Sequence, residues 1–226
     1  MRLGCLAAAA TAALVMAVPA AHAHDHDFQY WTQMTVQGPV KGNFLGYLEL
    51  QPRLWDNAGR LGQMLVRPAV GYRITPDTNV LLGYVYVHTD PLGGVATDEN
   101  RLWQQLIYPL IKTDGLTVVG RSRLEQRTVV NANDLGWRVR QQVRAQVPFS
   151  SGSRVLGVAW TEVFFNFNTT DWGARQGFDQ VRSFVGVQFP ITDNFTFEPG
   201  YVNQTIFRRG EDRMNHILGV YLNYRL

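Results

Sequence analysis

The sequence is short of cysteine, of lysine, of charge in general and of long apolar runs. Cys5 is the only cysteine among 226 residues, which excludes an intrachain disulfide and a cysteine-ligated metal cluster. If the first segment is removed, a cysteine nucleophile is excluded as well. Charged residues make up 17%, against the ~25% usual for globular chains. That deficit excludes a disordered or highly charged nucleic-acid-binding tail. Of the 21 basic residues, only Lys41 and Lys112 are lysines, a bias that favours fixed, hydrogen-bonded guanidinium groups over solubilising surface charge. Nothing after Ala23 approaches the ~18 consecutive apolar residues of a spanning helix, so any membrane insertion must use strands.

What is present begins with an export signal. Met1 and Arg2 precede an apolar, alanine-rich run from Leu3 to Ala20, and Ala21-His22-Ala23 places small residues where a signal peptidase reads them. We expect residues 1–23 to be a cleaved signal peptide and 24–226 to form one exported domain.

Period-two alternation organises the remainder. In Trp137-Arg138-Val139-Arg140 and onward to Val147, apolar and polar residues take opposite parities. The same holds for Leu218, Val220, Leu222, Tyr224 and Leu226 against Gly219, Tyr221, Asn223 and Arg225. Eleven such runs lie near 28–36, 43–54, 62–73, 79–88, 99–112, 116–129, 135–147, 154–167, 178–189, 194–206 and 213–226. Most are longer than the strands of a soluble sheet and match a tilted spanning strand of ~9–11 residues. Short turns at Thr75-Pro76-Asp77, Thr113-Asp114-Gly115, Ser150-Ser151-Gly152 and Thr192-Asp193-Asn194 alternate with longer connections at Trp55–Gly62, Thr89–Asp98, Asn131–Asp134, Asn168–Gly177 and Arg208–Asp212. The pattern predicts an all-β fold, an antiparallel transmembrane barrel of 10 to 12 strands with an Arg-rich polar lumen. A soluble exported sandwich or lipid-carrier barrel is the alternative. Strand-borne arginine and long strands weigh against it. Because single-chain bacterial barrels normally have even strand numbers, the eleven runs give either ten strands with 28–36 as an extra element or, with a strand split or missed, twelve.

The segments Glu99–Gln105, Gly120–Arg127, Glu162–Asn166, Phe178-Asp179-Gln180, Gly200–Gln204 and Met214-Asn215-His216, in this order, resemble the bacterial family catalogued as domain of unknown function 2490. Val181 departs from the pattern, where Asn is expected. The resemblance implies an outer-membrane barrel of Gram-negative bacteria and supplies no catalytic residues.

With the more apolar parity outward, Arg53, Arg67, Arg73, Arg101, Arg121, Arg123, Arg127, Arg138, Arg140, Arg144, Arg182 and Arg225 face inward beside Glu49, Glu125, Glu162 and Glu198. Such a cationic lumen must be wet, networked or occupied by an anion. Near the long-loop end, Glu49-Gln51-Arg53, Glu99-Asn100-Arg101, Glu125-Arg127, Asp134 with Arg138, Glu162-Asn166, Asp179-Gln180 with Arg182, and Asn215 behind Asp212 are expected to form one mixed ring inside the mouth. The ring either anchors loops or binds a polar ligand. The readings are a small or gated anion-leaning pore, a structural envelope protein, or, from another class, a membrane-interface lipid hydrolase or acyltransferase, for which His88 and His216 lie near the interface but Ser122 and Ser183, on the outward parity, have no partner at an evident spacing.

Cleavage after Ala23 would expose His24-Asp25-His26, an amine with histidine third, a pattern able to bind Cu(II) or Ni(II). No motif calls for another cofactor, and no basic-aromatic stripe suits nucleic acid. Trp31, Tyr72, Tyr108, Phe189, Phe195, Phe197 and Tyr224 are expected in interfacial girdles. Expected partners are outer-membrane lipids, the barrel assembly machinery through the last strand, and a small anion or polar solute.

Overall fold

The computed structural model describes residues 25–226; the expected signal peptide and His24 lie outside them. Eleven strands follow one another with no helix between them: β1 (Asp25–Lys41), β2 (Phe44–Trp55), β3 (Arg60–Thr75), β4 (Thr78–Thr89), β5 (Thr97–Lys112), β6 (Thr117–Val129), β7 (Gly136–Pro148), β8 (Leu156–Asn166), β9 (Gly177–Pro190), β10 (Phe195–Ile206) and β11 (Arg213–Arg225). Each pairs antiparallel with its neighbours except at one seam. There β1 runs parallel to β11, from Asp25 opposite Arg213 to Gln37 opposite Arg225, and closes the barrel. The odd count is thereby resolved: 28–36 is a full strand, and a closed ring of eleven needs one parallel pair.

Alternation dictates which side chains go where. Along β8 the even positions Val158, Trp160, Glu162, Phe164 and Asn166 are buried while their odd neighbours are more open. The strand-borne glutamates, and the arginines away from strand ends, fall on the buried parity. The opposite face carries exposed Leu48, Val70, Leu82, Leu102, Val185 and Leu218.

The connections only partly follow the expected alternation of lengths. The lower rim turns at 42–43, 76–77, 113–116, 149–155 and 191–194; the upper rim at 56–59, 90–96, 130–135, 167–176 and 207–212. Two differ from expectation. The Ser150-Ser151-Gly152 turn belongs to the longer loop 149–155, and the Trp55–Gly62 connection shrinks to 56–59 because both flanking strands extend. That turn is tight because Asp56, Asn57 and Ala58 all adopt left-handed φ, near 60°, a conformation costing L-residues roughly 1–2 kcal/mol each. The Asp27 carboxylate offsets the cost by accepting the amides of Asn57 (3.1 Å) and Asp56 (3.3 Å).

Two apolar clusters line the inner wall. One joins Leu65, Leu81, Val85, Val87 and Trp103 on β3–β5; the other joins Trp31, Val158, Trp160, Phe184, Val202 and Ile217 on β1 and β8–β11. Phe184 packs over Gly186 and Gly200, which stand opposite one another on β9 and β10, and a Cβ at Gly200 would come within 2.4 Å of the Phe184 ring and the Val185 carbonyl. The Gly200→Val variant is therefore expected to lose about 1–3 kcal/mol through overpacking, read as a lower urea midpoint for the refolded barrel.

Candidate functional site

Between these clusters the lumen is filled by an ion network. Glu125 on β6, fully buried at 0% exposure, accepts from Arg138 Nη2 at 2.6 Å and from Arg140 Nη1 at 2.9 Å. The Arg123 guanidinium stands 3.8 Å away. Glu162 on β8 takes a bidentate pair from Arg140 (3.0 and 2.9 Å) and one bond from Arg121 at 2.9 Å. Arg140 thus bridges two carboxylates. Glu99 joins Arg101 to Arg127, Glu49 binds Arg67 and Tyr47, and Glu198 reaches across to Arg144. Such pairs are costly to desolvate and are held by geometry rather than by net gain, so removing one partner is far worse than removing both.

Among the described residues, two cavities share the lumen. An upper one of about 250 Å³ is lined by eight arginines and two carboxylates, Glu99 and Asp179. A lower one of about 360 Å³ opens toward the short turns. Trp31, Arg53, Arg67, Arg140 and Arg182 line both and form a septum one side-chain layer thick. Within it, the Arg53 guanidinium lies 3.9 Å and that of Arg182 4.9 Å from the Trp31 ring centre.

The expected single ring is therefore a two-tiered network. Arg101, Arg127, Arg138 and Asn215 line the upper cavity; Glu49, Arg121, Arg123, Glu162 and Glu198 line the lower one; Arg53, Arg140 and Arg182 stand between. Asn166 donates to the Arg175 carbonyl at 3.0 Å. Glu99, Arg101, Arg127, Arg138, Asp179, Gln180 and Asn215 of the expected ring do meet in the upper cavity, whereas Glu49, Gln51 and Glu162 lie lower, because strand stagger sets height in a closed sheet and residue parity does not encode it. Asp134 does not pair with Arg138, whose carboxylates are Glu125 and Asp179. Trp31 is a correction as well: at 3% exposure it is the centre of the septum rather than a girdle residue. Its parity with Gln29, Gln33 and Gln37 was the signal that could have placed it. Sequence reasoning also missed the amide relay, in which Arg53 donates to Gln63 and Gln51 (2.7 and 2.8 Å) and Arg123 to Gln105 (2.8 Å).

Loops shape the upper mouth. Trp172 from 167–176 covers Arg127, 4.8 Å from the ring centre, and donates to the Asp134 carbonyl at 2.8 Å. Asp171 accepts the Asn133 amide at 2.9 Å and the Asp134 amide at 3.3 Å, and these bonds hold its carboxyl below the usual range.

Histidines and serines on the outer parity have other partners. His216 faces the Tyr201 hydroxyl through Nδ1 (2.7 Å) and His26 Nδ1 through Nε2 (3.3 Å). His88 Nδ1 meets Asp98 at 2.7 Å. Ser122 bonds Gln141 (2.6 Å), and Ser183 bonds Thr161 (3.1 Å). Asp25 and His26 stand opposite Arg213 and Met214 in the β1–β11 seam, while His24, the first member of the expected copper set, lies outside the described residues.

Two outcomes follow from this geometry. Glu125→Gln leaves buried guanidinium groups short of their counter-charge and is expected to cost about 3–5 kcal/mol, whereas Asp193→Asn, at an exposed pair with Arg154, is expected to cost under about 1 kcal/mol; urea titration of the refolded barrel compares them. For Asp171 the folded pKa is depressed, so its contribution is complete above the unfolded value of about 3.9 and is lost as pH falls through the folded one. The amide NMR signals of Asn133 and Asp134 are expected to shift below pH about 4 in the natural chain, and to be displaced already at neutral pH in Asp171→Asn.

A protein of Methylorubrum extorquens, named as uncharacterized, is 35% identical over 201 residues, 88% of either chain. A solved structure described as outer-membrane expressed OmpT of Vibrio cholerae aligns with a TM-score of 0.41 at 12% identity, over 72% of this chain and 55% of its own. Residues 28–215 match the family described as protein of unknown function (DUF2490). The chain belongs to that family.

Proposed function

We propose that the protein is a Gram-negative outer-membrane barrel acting as a narrow, anion-leaning pore whose septum keeps it nearly closed at rest. The observation that carries the pore is the pair of Arg-rich cavities meeting at one layer of side chains. A cationic constriction in a low-dielectric wall raises the local anion concentration and repels cations. Arg67 and Arg140 are held by Glu49 and Glu162, whereas Arg53 and Arg182 bond only amide oxygens, so displacement of these last two side chains is the motion that would join the cavities.

Two features of the outer face support a lipid setting. Its exposed side chains are largely apolar, and its polar side chains pair with one another: Gln104 with Gln126 reciprocally at 3.1 Å, Gln141 with Tyr108 at 3.2 Å. Water would make such pairing unnecessary, whereas hydrocarbon penalises every unpartnered group. The lipid-hydrolase or acyltransferase alternative requires a nucleophile beside a histidine, and a lipid-hydrolysis assay on the His216→Ala variant addresses it directly.

Conductance in a planar bilayer under a potassium chloride gradient tests the pore. Small discrete steps with a reversal potential of anion-preferring sign are expected, and the preference should weaken in Arg182→Gln. A folded barrel that remains silent would sink this reading.

A further inference from the structure

We infer that the septum is a binding site for an oxyanion, the phosphate or carboxylate end of a small polar solute, held by Arg53 and Arg182. The inference deepens the reading of the lumen as a solute-accessible interior and rests on it; it adds a stopping place and a ligand chemistry.

Most luminal arginines already have a carboxylate. Arg53 and Arg182 do not: among the described residues, Arg53 donates to the amide oxygens of Gln63 and Gln51, and Arg182 Nε to that of Gln180 at 3.1 Å. A neutral amide oxygen satisfies an N–H without supplying counter-charge, and the carboxylate opposite Arg182, Glu162 on β8, is taken by Arg140 and Arg121 instead. The Nε–H of Arg53 lacks even that partner, although the residue is only 7% exposed. Two such cations, each under a tenth exposed, are unfavourable to bury unless an anion accompanies them.

The geometry suits an oxyanion more than a halide. Trp31 occupies a face of each guanidinium group, and Phe164 stands 4.7 Å from that of Arg182. With faces against rings, the in-plane N–H edges are the polar surface left, and a planar fork matches two oxygens of one phosphate or carboxylate. Trp31 is itself fixed: its Nε1 donates to Gln29 Oε1 at 2.8 Å, and Gln29 Nε2 to Asp27 at 2.7 Å. The site is thus ordered before ligand arrives, which lowers the cost of binding.

Size narrows the class. The upper cavity, at about 250 Å³, holds roughly eight water volumes of ~30 Å³ each. That admits orthophosphate or a small phosphorylated or carboxylated solute and excludes a polymer. Gln204 and Asn215 line the same cavity and are bonded to Gln180, Arg213 and one another, so the arginines are its charged recognition groups.

Equilibrium dialysis of the refolded barrel in detergent micelles tests the site, with orthophosphate, malonate and chloride compared at equal ionic strength. Saturable binding of phosphate or malonate that equal chloride does not displace is expected, and which of the two binds tighter identifies the source of the oxyanion. Loss of one charged hydrogen-bond partner should weaken binding about tenfold or more in Arg53→Gln and in Arg182→Gln, with Arg154→Gln unchanged. Refolding of each variant is checked by its heat-dependent gel shift; should Arg182→Gln not fold, Arg182→Lys keeps the charge, loses the fork and is expected to show a similar loss. Binding displaced equally by chloride, binding indifferent to both septum positions, or no binding by the folded natural chain would each overturn the site. The pore stands or falls separately: a barrel that conducts chloride without binding either oxyanion removes the site alone, and a silent barrel that binds one removes the pore alone.

Discussion

A strand that slips by one residue turns every one of its side chains to the opposite face, and in this barrel that constraint carries unusual weight. A one-residue slip of β7 would exchange Arg138, Arg140 and Arg144 for Trp137, Val139 and Val143. The first set would then sit among apolar side chains with no carboxylate in reach, and Glu125 would be left buried without Arg138 and Arg140. Register, closure and the ion network are therefore one cooperative unit. Glu125 is its most exacting member, because a fully buried carboxylate tolerates no position of β7 other than the one that brings two guanidinium groups to it.

The parallel seam follows from the same logic. A meander of eleven strands begins and ends with strands pointing the same way, so closure must be parallel. The seam is continued by side chains on both faces. Inside, Asp27 reaches Arg213 at 3.4 Å; outside, His26 stacks on His216 with ring centres 5.4 Å apart. Leu226 completes it at the lower rim by donating its amide to the Gln37 carbonyl at 3.0 Å.

Much of this was legible in the sequence, for a physical reason: strand alternation has period two, and arginine or glutamate on a lipid-like face is too costly to be ambiguous. Hence every luminal charge from Glu49 to Glu198 could be assigned to the inner face from parity alone. What alternation does not encode is height and neighbour identity. Arg138 precedes Arg140 by one pleat, yet they serve different carboxylates besides the one they share, because the stagger of β6, β8 and β9 decides who stands opposite. Apolar inner positions were the other blind spot. Val85, Val87 and Trp103 read as ordinary hydrophobic strand residues, although they pack the inner wall and narrow the lumen that the arginines share.

Those apolar walls give the arginines their character. In a wide, water-filled channel a guanidinium group is screened and of little consequence for selectivity. Here Trp31, Phe164 and Trp103 exclude water from the flat faces of Arg53, Arg182, Arg140 and Arg123, and cation–π contact compensates only part of the lost hydration. Where a carboxylate stands beside the group, as for Arg140, the residue becomes a rigid strut. Where only amides do, as for Arg53 and Arg182, the same aromatic support leaves a charge directed at the cavity. One wall chemistry thus produces two kinds of arginine, and what decides is whether a carboxylate pairs directly with the group: Glu162 stands opposite Arg182 yet bonds Arg140 and Arg121.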